Sequence, residues 1–232
     1  NAGKTLFDLY KLTGKEKYRR ALDTVYSQLK EQPRTSTGNF WHKKIYPHQI
    51  WLDGLYMAQP FYMQYEAEYN GCKNCEDSYQ QFLQGYGRMR DPLNGLYYHA
   101  YDDSRQMFWC DKVTGLSENF WLRAMGWYAM ALIDTMEVMP ESMACQKARL
   151  NTIYKELIDA MLPYQDQATG MWYQVVNRGG IAPNYLEESG SAIFADAIMK
   201  SVRLHYLPED YFKYGQKAFD GICSTYLSEK DG

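Results

Sequence analysis

Two kinds of helical pattern alternate along the chain. From Lys17 to Gln32, Tyr18, Leu22, Val25 and Leu29 recur at helical spacing, while Arg19, Arg20, Asp23 and Lys30 fill the other faces. That spacing gathers the apolar residues into one stripe and predicts a helix buried on one side only. The same one-sided pattern runs from Asp77 to Met89, from Gln146 to Leu162 and from Tyr211 to Tyr226. Between these segments the pattern changes. Gln49 to Tyr65 carries a single charge, Asp53, and Phe120 to Ile133 carries only Arg123. A helix apolar all round belongs inside a fold and a one-sided helix belongs at its rim. The chain therefore reads as inner helices alternating with outer ones.

The inner helices also start alike. Trp51-Leu52-Asp53, Trp121-Leu122-Arg123 and Tyr185-Leu186-Glu187 each open with an aromatic residue, a Leu and an ionisable residue. Before each lies a Gly-x-aromatic-aromatic segment, in Gly38-Asn39-Phe40-Trp41-His42, Gly95-Leu96-Tyr97-Tyr98-His99 and Gly170-Met171-Trp172-Tyr173-Gln174. Thr37, Asn94 and Thr169 precede those glycines and mark turns. A unit that repeats in this way cannot bury its inner face alone and must stack against its neighbours. The predicted fold is all-α, an α/α toroid. A closed ring of six pairs needs about twelve helices, and the pattern here supplies about eight. The chain, which starts at Asn1 within a helical pattern, is expected to be a single toroid domain over residues 1–232, truncated at both ends and covering about the middle two thirds of the ring.

Composition narrows the partners. A formal net charge of −3, without Lys or Arg runs, offers no basic stripe to neutralise phosphates and argues against nucleic acid. No apolar run is long enough to span a bilayer. The 22 Tyr, 9 Phe and 6 Trp suit sugar binding and equally suit a wide helical core. Cys72 and Cys75 form a lone C-x-x-C without the second ligand pair of a zinc site, so a local disulfide and two free thiols both stay open. No metal or cofactor motif is present, and none is expected. The compartment, cytoplasmic or periplasmic in a bacterium, is left open by a chain with no targeting segment to read.

A lone charge inside an apolar helix costs several kcal/mol unless it is paired. Asp53 and Arg123 hold matching places in two inner helices and Glu187 or Glu188 in a third, so the three should meet at one mouth, lined by Trp51, Tyr98, Trp121 and Trp127. Plainer readings stand beside this: Asp53 could cap its helix and Arg123 could tie two helices together. His42 and His99 occupy equivalent repeat positions and are expected at the same mouth. His48 and His205 have no such support and read as structural.

The segments Phe40–Pro47, Trp51–Ala58, Phe120–Ala129 and Tyr185–Ala192 closely resemble the unsaturated rhamnogalacturonyl hydrolases, glycoside hydrolase family 105. The resemblance runs the length of the chain and implies an (α/α)6 toroid of the six-hairpin glycosidase type, in agreement with the repeats. It implies that Asp53 is the catalytic aspartate and Trp51 its aromatic neighbour. It further implies that His99, Trp121, Arg123 and Trp127 hold the unsaturated sugar, and that His42 and Lys43 lie close by. A second aspartate important in the family should fall a few residues before Asn1, and the family continues past Gly232. The implied reaction removes a terminal unsaturated galacturonyl residue from pectin-derived oligosaccharides by hydrating its C4=C5 double bond, an exception to the two-carboxylate scheme. The rivals are an unsaturated glucuronyl hydrolase acting on glycosaminoglycan fragments, an inverting glycosidase using Glu187 or Glu188, and a sugar-binding toroid without chemistry.

Overall fold

The structure is a computed structural model that describes residues 3–228. The described residues form eight α-helices: α1 (Gly3–Thr13), α2 (Glu16–Lys30), α3 (Leu52–Tyr69), α4 (Cys75–Met89), α5 (Leu122–Val138), α6 (Ala144–Met161), α7 (Glu188–Arg203) and α8 (Phe212–Tyr226). They pair as successive hairpins, and α5 lies between α3 and α7. Burial follows the two sequence patterns. Twelve of the seventeen residues of α5 are buried, against two of fifteen in α2, so α5 is an inner helix and α2 an outer one. No helix among the described residues is long and apolar enough to cross a membrane.

Polar anchors tie the inner helices at the end away from the repeat loops. Asp134, buried near the end of α5, receives the ammonium groups of Lys4 from α1 and Lys200 from α7. Lys200 also reaches Glu137 at 2.7 Å. A buried carboxylate held by two cations is a costly arrangement unless its partners stay in place, so it fixes how the helices align. The turn between α3 and α4 is closed by a disulfide joining Cys72 and Cys75.

At the opposite end, the repeat loops connect the hairpins. The glycines opening them, Gly38, Gly95 and Gly170, have φ of 96°, 77° and 73°, a left-handed conformation that a side chain would strain. Two short strands, β1 (Gln49–Trp51) and β2 (Ala100–Asp102), pair antiparallel with Gln49 opposite Asp102 and Trp51 opposite Ala100.

The third repeat departs from the predicted register. In α3 and α5 the Leu of the shared triplet is the first helical residue, with Trp51 and Trp121 as extended N-caps. In α7 the N-cap is Glu187 itself, so the helix starts two residues later in the triplet and Tyr185 is exposed. Glu187 makes its own cap there, and that local bond decides the start.

Candidate active site

The shared backbone register of the repeats assembles the site. Leu52 donates its N–H to the carbonyl of His99 at 3.1 Å, and one repeat later Leu122 donates to Gln174 at 2.9 Å. Each inner-helix start is thus stitched to the repeat loop that follows it. In the first pair this sets His99 beside Asp53, in the first turn of α3.

His99 Nε2 lies 3.2 Å from Asp53 Oδ2. The contact is close enough for an ion pair but is poorly aligned for a hydrogen bond, and neither atom has a hydrogen-bond partner among the described residues. Asp53 does not cap α3, whose N-cap carries no side-chain hydrogen bond. Trp51 stands beside it in a set of near-parallel rings, 4.4 Å from His42 and 5.1 Å from Tyr46. His99 meets Trp51 and Trp121 edge-on, at 4.9 and 4.8 Å. Burial lowers the His42 pKa to about 4, which keeps its ring neutral at neutral pH. Gly54 makes room for this ring, because a Cβ there would sit 3.0 Å from His42 Nδ1.

Thirteen buried side-chain atoms lack a hydrogen-bond partner among the described residues. Four belong to predicted site residues: His42 Nδ1, Asp53 Oδ2, His99 Nε2 and Trp121 Nε1. Each such atom costs about 1–3 kcal/mol of desolvation, and their grouping suits a polar ligand rather than a packed core.

Arg123 occupies in α5 the place that Asp53 holds in α3. Its guanidinium lies over the Trp121 ring at 4.6 Å. Its Nη1 donates to Glu187 Oε1 at 3.1 Å and to Ser189 Oγ at 3.0 Å. Glu187, only 3% exposed, also accepts the N–H of Gly190 at 2.6 Å. Arg123 therefore does tie α5 to the start of α7, and of the two candidate acids it is Glu187 that it engages; Glu188 is exposed.

Two predicted residues sit at the margin. Trp127, one turn farther along α5, stacks on Tyr56 at 4.8 Å. Lys43 is exposed, with its ammonium 5.7 Å from the Tyr46 ring. Tyr98 corrects the pattern reading: it packs on Phe120 at 4.6 Å, since neighbours in an extended segment point to opposite faces and His99 takes the inward one. His48 and His205 lie in turns at φ of 63° and 60°. Sequence reasoning missed Tyr46, Ser189 and the loop 103–119. Beside the cluster opens a cavity of about 470 Å³, whose walls include Trp51, His99, Phe108, Trp109, Asn119 and Trp121. A larger groove of about 710 Å³ runs along α8 and contains none of the predicted residues.

The family described as Glycosyl Hydrolase Family 88 matches residues 1–232. The chain belongs to this family. Among curated relatives of this Family 88 chain, Protein Atu3128 of Agrobacterium fabrum is 37% identical over 175 residues, spanning 74% of this chain and 73% of that protein. The unsaturated rhamnogalacturonyl hydrolase YesR of Bacillus subtilis is 30% identical over 99% of this chain. A family 105 glycoside hydrolase structure from C. acetobutylicum superposes with a TM-score of 0.94 at 46% identity over 99% of this chain. The chain spans 63% of the length of each of these last two proteins. An unsaturated glucuronyl hydrolase specific for heparin superposes with a TM-score of 0.76 at 14% identity, a likeness of fold. The expected six-hairpin toroid and the resemblance to family 105 are borne out.

Proposed function

We propose that this Family 88 protein removes a terminal unsaturated galacturonyl residue from rhamnogalacturonan-derived oligosaccharides, with Asp53 as the proton donor. The observation that carries the reading is the Asp53 carboxylate, uncommitted to its own helix and facing His99 between two tryptophans. A carboxyl group that is not engaged in holding the fold is free to exchange a proton with substrate.

In this mechanism Asp53 delivers its proton to C4 of the C4=C5 enol ether. Positive charge develops at C5 and is shared with the ring oxygen. Water adds to C5 and returns a proton to the Asp53 carboxylate, which restores the acid. The C5 hemiketal opens by breaking the bond from C5 to the ring oxygen, leaving a ketone at C5 and a hemiacetal at C1. The hemiacetal then collapses to an aldehyde and releases the aglycone as an alcohol. One carboxyl group serves both proton transfers, so no opposed second acid is needed. Trp51, Trp121 and neutral His42 supply flat faces for the sugar ring. Both internal bonds of Arg123 use Nη1, which leaves Nη2 and Nε for the substrate carboxylate. In this reading Trp127 and Lys43 approach the sugar from the margin of the cluster.

The name of YesR favours a rhamnogalacturonan substrate over a glucuronyl one. The test is the ultraviolet absorbance of the conjugated double bond, followed with lyase-generated rhamnogalacturonan disaccharide and with its glycosaminoglycan counterpart. The expected result is faster loss of absorbance on the first. Turnover of the glucuronide alone would sink the pectin assignment.

A further inference from the structure

The loop between β2 and α5 has no place in the chemistry above, yet it is firmly built. Asp102, fully buried, accepts the backbone N–H groups of Gln106 at 2.7 Å and Met107 at 2.9 Å. Asp111 closes a second turn by accepting from Thr114 at 2.6 Å. Pairing of Tyr101 with Leu116 and of Cys110 with Ser117 holds the two sides of the loop together. This scaffold displays Phe108 at 92% exposure, beside half-buried Trp109. A large apolar side chain held out by a well-bonded loop suggests recognition rather than folding.

Phe108 and Trp109 line the same cavity as Trp51, His99 and Trp121, so it opens directly off the catalytic cluster. Among the described residues, no Lys or Arg lines it. Its carboxylate, Glu118, faces Arg178 across 3.7 Å at the exposed rim, so that charge is already balanced.

We propose that this cavity is the subsite for the leaving sugar, that Phe108 and Trp109 form its apolar platform, and that it takes a neutral sugar ring with an apolar face. The proposal rests on the functional reading above. A deoxysugar such as rhamnose presents a methyl group and ring hydrogens to the two aromatic side chains. A sulfated or carboxylated sugar would enter a wall that offers no cation.

The experiment compares the intact protein with Phe108→Ala and Phe108→Trp on two substrates, the unsaturated galacturonyl-rhamnose disaccharide and the unsaturated methyl galacturonide. The quantity read is the ratio of kcat/KM for the disaccharide to that for the methyl glycoside. Phe108→Ala is expected to lower this ratio about tenfold, the size of one aromatic contact, and Phe108→Trp to restore it. An unchanged ratio in Phe108→Ala would overturn the platform. Wild-type preference for a sulfated aglycone over its unsulfated form would overturn the neutral assignment. No turnover of either galacturonide by the wild type would remove the functional reading and this subsite with it. Methyl glycoside turnover with an unmoved ratio removes the subsite alone.

Discussion

Asp53→Asn is expected to lower kcat by about a hundred- to ten-thousandfold, the contribution of a positioned proton donor, while leaving the fold as stable as before. The substitution keeps the shape of the side chain and removes only its acidity. Structure gives little reason for it to unfold anything. Asp53 does not cap α3, and Oδ2 has no hydrogen-bond partner among the described residues. Its close charge contact with His99, at 3.2 Å, is poorly aligned. Absorbance assays and thermal melts on the same preparations separate the two effects. Activity within tenfold of wild type would remove Asp53 from the chemistry. A large fall in melting temperature would return it to the structural reading.

Glu187→Ala should be the costliest of these changes for stability, with a loss of about 2–3 kcal/mol. Glu187 does two jobs with one carboxylate, holding Arg123 with Oε1 and the Gly190 N–H with Oε2. Removing it leaves a buried N–H at the start of α7 without its cap. The Arg123 contribution is discounted, because that side chain is 38% exposed and solvent screens it. The neighbouring glycine belongs to the same device. A Cβ at Gly190 would lie 2.6 Å from Leu122 Cγ and 2.7 Å from Glu187 Oε2, so only glycine lets α7 start against α5. Chemical denaturation should show the lower midpoint, and KM should rise as Arg123 loses its brace. A midpoint equal to wild type would mean that the cap and the ion pair contribute nothing.

Much of this was legible in the sequence, for identifiable reasons. The isolation of Asp53 and Arg123 within apolar stretches reflects the cost of burying charge, and both do sit at equivalent helix starts. The second and third Gly-x-aromatic-aromatic segments do occupy equivalent positions, because His99 and Gln174 each supply the carbonyl that receives the N–H of the Leu opening the preceding inner helix. Tyr98 and His99 were harder. Both are polar aromatics in one extended segment, and only the register with β1 decides which one faces Asp53.

Other features depend on local bonds that periodicity does not register. The choice of Glu187 over Glu188 follows from which residue becomes the N-cap of α7. The pairing of Cys72 with Cys75 follows from the turn that brings their Cα atoms to 5.0 Å. The loop carrying Phe108 did leave a signal. Asp111-Lys112-Val113-Thr114-Gly115-Leu116 has the same Asp-to-Gly spacing as Asp91–Gly95 and Asp166–Gly170. In all three the glycine N–H returns to the aspartate carbonyl. This turn lacks the aromatic pair that follows the glycine in the other repeats, so the Gly-x-aromatic-aromatic pattern does not extend to it.

The most direct test of the proposed chemistry is to run the reaction in D2O and read the released uronate by NMR. Delivery of one proton from Asp53 to C4 predicts a single deuterium at C4, in one configuration, appearing at the rate at which absorbance is lost. Attack at the anomeric carbon predicts release of the aglycone with the double bond intact, and deuterium entering C4 later and without stereochemical preference. That second outcome would contradict the hydration mechanism and the role given to Asp53.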